Sequence, residues 1–192
     1  MIPTLMYIHG YGSGSNALKC QQLRKMFPDY NVVAPDFDYD SMCPDDIQNH
    51  IRQSVIQHHV RLIVGSSLGG YHALCATAFF DGIVWCVNPV CHVTERLPIV
   101  MERVVANHPE LRRQAEQMQA FYADFDRRVF QQLPQRQGQL YFALSTDDEV
   151  LGSHSSIVSK FPYASVHWRD HAAHRFTPFP ELKSLMLQSL NA

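Results

Sequence analysis

No apolar run in these 192 residues approaches the roughly 18 that a membrane-spanning helix needs, so no membrane span is expected. The opening Met1-Ile2-Pro3-Thr4-Leu5-Met6 lacks the basic start and cleavage pattern of a secretory signal. Cysteine is sparse and odd in number: Cys20, Cys43, Cys75, Cys86 and Cys91, with no C-x-x-C pair. Without a secretory context such cysteines read as reduced thiols, which points to the cytoplasm. Cys91-His92 is the one Cys/His cluster, and adjacent side chains usually point apart, so no metal site is expected. Lys and Arg number 16 against 18 Asp and Glu, a net charge of −2 without a basic stripe, which argues against a nucleic-acid partner. Internal repeats, low-complexity tracts and clear linkers are also missing. With 46% hydrophobic residues, the chain reads as a single domain over 1–192 with a substantial core. Nothing specifies an oligomeric state.

What is present is an alternation. Short apolar runs recur at Leu5–Ile8, Asn31–Ala34, Leu62–Val64, Ile83–Val87, Leu140–Leu144 and Ser165–Trp168. Most are rich in β-branched or aromatic residues, as buried parallel strands are. Candidate helices lie between them: Ser15–Phe27 behind a plausible N-cap, Pro44–His59 with Ile47, Ile51, Val55 and Ile56 at helical spacing, Gly70–Phe80, Ser153–Phe161 and Glu181–Leu190. The pattern predicts an α/β fold of about six mostly parallel strands with helices on both faces. Ligands in such sheets sit beyond the carboxyl ends of the strands.

The segment 94–133, after the fourth strand, is unusually long. Leu111, Ala115, Met118, Phe121, Phe125, Val129 and Leu133 repeat every three or four residues along one face, and charged residues fill the other. A helix packed on the body is the plain reading. The position also suits a helical cap over the site, with Phe121 or Phe125 toward the substrate. His108 precedes Pro109 and reads as loop. Gln135-Arg136-Gln137-Gly138 reads as a polar return to the sheet.

The most specific signal is Gly65-Ser66-Ser67-Leu68-Gly69, a G-x-S-x-G between a predicted strand and a predicted helix. A serine hydroxyl is a weak nucleophile until a base removes its proton, so it must stand clear of the backbone where a base can reach it. Gly65 and Gly69 let strand and helix pass closely around that sharp turn. A serine nucleophile also needs a base and an acid to orient the base. After Ser67, the loop Ser145 to Val150 supplies Asp147, Asp148 and Glu149. The last strand leads to Arg169-Asp170-His171-Ala172-Ala173-His174, with His171 and His174 as candidate bases. His50, His58, His59, His72 and His154 fall on predicted helices and read as surface or helix-face residues.

Tyr7-Ile8-His9-Gly10-Tyr11, the elbow with Gly70-Tyr71, Asn88-Pro89-Val90, Asp148-Glu149-Val150-Leu151 and His174-Arg175-Phe176 together resemble the α/β-hydrolase superfamily. Within it the chain resembles the small bacterial YqiA-like esterases over almost its whole length. The resemblance implies a minimal α/β-hydrolase fold with Ser67 as nucleophile, Asp148 as acid and His174 as base. The backbone N–H groups of Leu68 and Tyr11 are the expected oxyanion donors. The implied reaction is hydrolysis of a small-molecule acyl ester or thioester through an acyl-enzyme on Ser67, with no cofactor and no metal. Two other classes compete: a catalytically inactive α/β-hydrolase used as a binding module, and a nucleotide-binding protein. Gly10-Tyr11-Gly12-Ser13-Gly14 raises the latter but lacks the Lys-Ser/Thr ending of a phosphate loop.

Overall fold

The computed structural model describes residues 2–134 and 139–191. Six strands form one sheet: β1 (Thr4–Ile8), β2 (Asn31–Val33), β3 (Val60–Ser66), β4 (Ile83–Val87), β5 (Leu140–Ser145) and β6 (Ser165–Arg169). The order is β2-β1-β3-β4-β5-β6, and every neighbouring pair is parallel. The chain winds from β1 outward to β2, then returns to β3 and continues the other way. The switch between β1 and β3 is where a crevice opens at the carboxyl edge of such a sheet.

Strand periodicity sorts the core into two layers. Met6, Ile8, Ile63, Val84, Cys86, Phe142 and Leu144 face one side. They are covered by α2 (Pro44–His58), α3 (Leu68–Ala76), α4 (Val93–Asn107), α5 (Arg112–Arg128) and α6 (Ser155–Lys160). Leu5, Tyr7, Leu62, Val64, Trp85 and Val87 face the other, under α1 (Leu18–Met26), α7 (Lys183–Asn191) and the 3-10 turn Phe179–Leu182. No helix among the described residues is long and apolar enough to cross a membrane.

Several local expectations shift. Ser15 does not start α1; its hydroxyl donates to Asp36 Oδ2 at 2.7 Å, and the helix begins at Leu18 with no side-chain cap. Ile56 is 68% exposed and Val55 only partly buried, so of the four residues at helical spacing α2 buries Ile47 and Ile51, beside Pro44 and Gln48. The long 94–133 segment breaks at His108, because the residue before a proline avoids helical geometry; α4 and α5 are separate helices joined by the turn Pro109–Leu111. The buried face of α5 is Ala115, Met118, Tyr122 and Phe125, while Phe121 is 38% exposed. Phe121 lines a separate 210 Å³ cavity with Tyr39, Met42 and Met118, and Phe125 packs on Tyr71 and His72. Neither faces Ser67. The stretch Gln135-Arg136-Gln137-Gly138 lies outside the described residues.

Candidate active site

Ser67 occupies the one-residue gap between β3 and α3, with φ 55° and ψ −122°. An L-residue in that region is strained, and such strain persists only where the surroundings enforce it. The enforcement is visible. The Ser67 N–H donates to the Val87 carbonyl at 3.0 Å, and the Ser67 carbonyl accepts from Tyr71 and Val90 N–H at 3.1 and 3.2 Å. The flanking glycines are required by contact: a Cβ on Gly69 would lie 2.2 Å from the Ile8 carbonyl oxygen, and one on Gly65 2.2 Å from that of Gly69. Gly10 passes close as well, since a Cβ there would meet the Ser67 Cβ at 3.1 Å.

From the loop after β6, His174 turns its Nε2 to 3.1 Å from Ser67 Oγ. Its Nδ1 lies 3.0 Å from both oxygens of Asp148. A carboxylate only accepts, so the Nδ1–H donates to Asp148, and Nε2 is left to accept the serine proton. Asp148 is buried and receives N–H groups from Val150 at 3.0 Å and Leu151 at 2.8 Å on Oδ1. Burial raises its carboxyl, but the donors His154, His174 and Leu151 outweigh burial and hold it well below the usual carboxylate range.

The neighbouring carboxylates hold the backbone of the same loop. Asp147 Oδ1 accepts from the Ala173 N–H at 3.1 Å, and Glu149 Oε2 from the His174 N–H at 2.8 Å. Asn88, fully buried at the end of β4, donates to the carbonyls of Ala173 and His174 at 2.9 and 3.1 Å. It also accepts from the Ser145 N–H at 2.8 Å. This clamp holds a loop in which His171, Ala173 and Phe176 all have positive φ. His171 itself is exposed and makes no side-chain bond to Ser67.

His154 is the residue that sequence reasoning misplaced. It is 1% exposed, not a surface position, and its Nε2–H donates to Asp148 Oδ2 at 3.0 Å. Its Nδ1 is buried without a partner. His72 is likewise buried, bonded to Gln48 and to the Tyr122 hydroxyl. Nothing in a lone histidine at a helix edge signals such a role. The Cys91 thiol donates to the Pro89 carbonyl at 3.5 Å, and His92 Nε2 lies 2.6 Å from the Ser156 hydroxyl.

Tyr11 and Leu68 both border the space beside Ser67. Leu68 opens α3, so its N–H has no carbonyl partner within the helix and sits at the positive end of the helix dipole. The loop carrying Tyr11 is fastened by His9, whose Nε2 accepts from the Phe37 N–H at 3.0 Å, and by the Tyr39 hydroxyl on the His9 carbonyl at 2.6 Å. Two cavities meet at Ser67. One, of about 170 Å³, is walled by Val90, Val93, Leu97, Val100 and Leu151, with Arg96 also lining it. The other, of about 630 Å³, runs toward α1 past Lys19, Gln22 and Arg175.

Residues 4–188 match the model of an uncharacterised protein family, UPF0227. The chain belongs to this family. A UPF0227 protein from Shewanella sp. strain ANA-3 is 25% identical over 95% of this chain and 99% of its own length. Among solved structures, an α/β hydrolase from a sediment metagenome of the Mar Chica lagoon, Morocco, superposes with a TM-score of 0.72 at 18% identity, over 100% of this chain and 91% of that one. An esterase domain from Rhodothermus marinus superposes at 0.70 and 14% identity, over 99% and 87%. At these identities the likeness establishes the α/β-hydrolase fold, and this UPF0227 chain carries it over its full length.

Proposed function

We propose that this UPF0227 protein is a serine hydrolase that cleaves acyl esters or thioesters through an acyl-enzyme on Ser67. The observation that carries the reading is the chain of contacts from Ser67 Oγ to His174 Nε2 at 3.1 Å and from His174 Nδ1 to Asp148 at 3.0 Å. His174 takes the Ser67 proton as Oγ attacks the acyl carbon, and Asp148 orients the ring and stabilises its charged form. In this reading the N–H groups of Leu68 and Tyr11 receive the negative oxygen of the tetrahedral intermediate. As the acyl C–O or C–S bond breaks, His174 returns the proton to the leaving atom. A water molecule then repeats the sequence and frees the acid and Ser67. The mostly aliphatic cavity beside Val93, Leu97 and Val100, of about 170 Å³, takes the acyl chain. In this reading α4 is the substrate-facing part of the 94–133 insertion, and α5 packs behind it.

A fluorophosphonate probe should label Ser67, and Ser67→Ala should lose both the label and hydrolysis of p-nitrophenyl butyrate. The loss should be several orders of magnitude, on the order of 10⁶ where a triad serine has been removed. Undiminished labelling or turnover in Ser67→Ala would overturn the assignment. A folded wild-type protein that neither labels nor turns over would favour the inactive binding module.

A further inference from the structure

The two cavities that meet at Ser67 differ in chemistry: the smaller is walled mostly by aliphatic side chains, with Arg96 its one Lys or Arg. The 630 Å³ cavity contains two cations, Lys19 and Arg175, and no Asp or Glu lines it. Among the described residues, neither cationic side chain has an ion pair or a hydrogen bond. Arg128, by contrast, is bound by both Asp45 and Asp124. The fold places both cations at the cavity. Lys19 is the second residue of α1, whose Cys20, Leu23 and Met26 are buried toward the sheet. Arg175 directly follows His174.

This arrangement is unfavourable while the cavity holds only water. Lys19 is half-buried, and burial together with the positive charge of Arg175 pushes its ammonium down to about 8. A partly desolvated ammonium without a counter-charge, facing a second cation, is destabilising. An anion between the two removes the repulsion and supplies the missing partner. Arg adds a fork suited to bidentate contact with carboxylate or phosphate oxygens. A structural ion pair would have a carboxylate in place; none lines this cavity, and an anionic ligand would supply the counter-charge.

We propose that Lys19 and Arg175 form an anion subsite in the leaving-group half of the cleft, and that the substrate carries a carboxylate or phosphate on the alcohol or thiol it releases. The proposal rests on the reading of Ser67 as nucleophile. It assigns the acyl chain to the smaller, mostly aliphatic cavity, which leaves the opposite side of the attacked carbonyl, toward Arg175, for the departing group.

Three butyryl thioesters test it: those of 2-mercaptoethanol, 3-mercaptopropionate and 2-mercaptoethyl phosphate. They share an acyl group and differ in having a neutral, carboxylate or phosphate leaving group. Release is followed with a thiol reagent. Wild type should favour at least one anionic thioester over the neutral one by tenfold or more in kcat/KM, and which one identifies the anion. In Lys19→Gln/Arg175→Gln that ratio should fall toward one, and Lys19→Arg should retain it. A wild-type ratio near one, or a ratio that survives the double substitution, overturns the proposal.

Calorimetric binding of S-butyl-2-mercaptoethyl phosphate, a non-cleavable thioether, to Ser67→Ala separates the two readings. Binding lost in the triple variant Ser67→Ala/Lys19→Gln/Arg175→Gln supports the subsite even if wild type cleaves nothing. Turnover without anion preference or thioether binding leaves the hydrolase and removes the subsite.

Discussion

If Ser67, His174 and Asp148 act as proposed, replacing His154 should slow hydrolysis without touching a reacting atom. Asp148 Oδ1 is held by two backbone N–H groups, those of Val150 and Leu151. Among the described residues, Oδ2 has His154 and otherwise only His174 itself. His154→Leu therefore removes the one donor that fixes Oδ2 independently of the ring it must orient. A hydrogen bond to a charged group contributes about 1.5–3 kcal/mol. If the whole of that were lost from the transition state, turnover would fall roughly 10- to 150-fold, at tenfold per 1.4 kcal/mol. The same loss raises the Asp148 carboxyl by about one to two pH units. Its value starts well below the ordinary range, so it stays ionised at neutral pH. The effect is thus one of orientation and basicity, far smaller than loss of the nucleophile. A less satisfied carboxylate also holds the imidazolium more tightly, so the acid limb of the kcat/KM profile should move to higher pH. His154→Gln keeps an N–H donor and should recover both kcat and the profile. Stopped-flow or plate assays of p-nitrophenyl butyrate from pH 5 to 9, alongside thermal melts, read all three quantities. If His154→Leu melts earlier but keeps wild-type kcat and pH profile per folded molecule, His154 is structural only and the argument fails.

Phe125→Ala should destabilise by about 3–5 kcal/mol as a core truncation, whereas Phe121→Ala should change stability by no more than about 0.5 kcal/mol and leave chain-length preference unaltered. Paired urea titrations and an ester series check this; a changed acyl preference in Phe121→Ala would return that residue to the site. His72, fully buried, is held down to about 3 by desolvation, while the unfolded chain protonates it near 6.5. The unfolded state alone gains this proton as pH falls from about 6.5 toward 3, so stability drops across that window, by about 2 kcal/mol between pH 7 and 5. Urea titrations at both pH values should find that difference reduced by a comparable amount in His72→Gln; an equal difference in both proteins would refute the linkage.

The sheet was legible because buried parallel strands are short apolar runs, and each run became a strand within two residues of its expected limits. Helix beginnings and faces were harder, for reasons outside any local window. Ser15 resembles an N-cap until Asp36, twenty-one residues on, takes its hydroxyl. On α5, spacing of three or four admits Phe121 or Tyr122 to the buried stripe. The apolar ring reads as the better choice, but His72 Nε2 lies 2.6 Å from the Tyr122 hydroxyl, and that partner lets the phenol be buried. His72 and His154 were unreadable for the same reason: their polar partners lie on other elements or around a turn.

The acidic run Asp147-Asp148-Glu149 shows why order along the chain could name a loop but not a residue. All three carboxylates bind the His174 loop, and each binds a different part of it. Asp147 takes the Ala173 N–H, Glu149 the His174 N–H, and Asp148 the imidazole. Adjacent residues in an irregular segment point in different directions, so their roles separate only once Asn88 and Ser145 have fixed where that segment runs. The outer two bonds hold, through backbone, a loop in which His171, Ala173 and Phe176 have positive φ. That leaves Asp148 free to act on the ring alone. Its burial and its bond to His154 distinguish it from its neighbours, and neither is a property of the sequence around it.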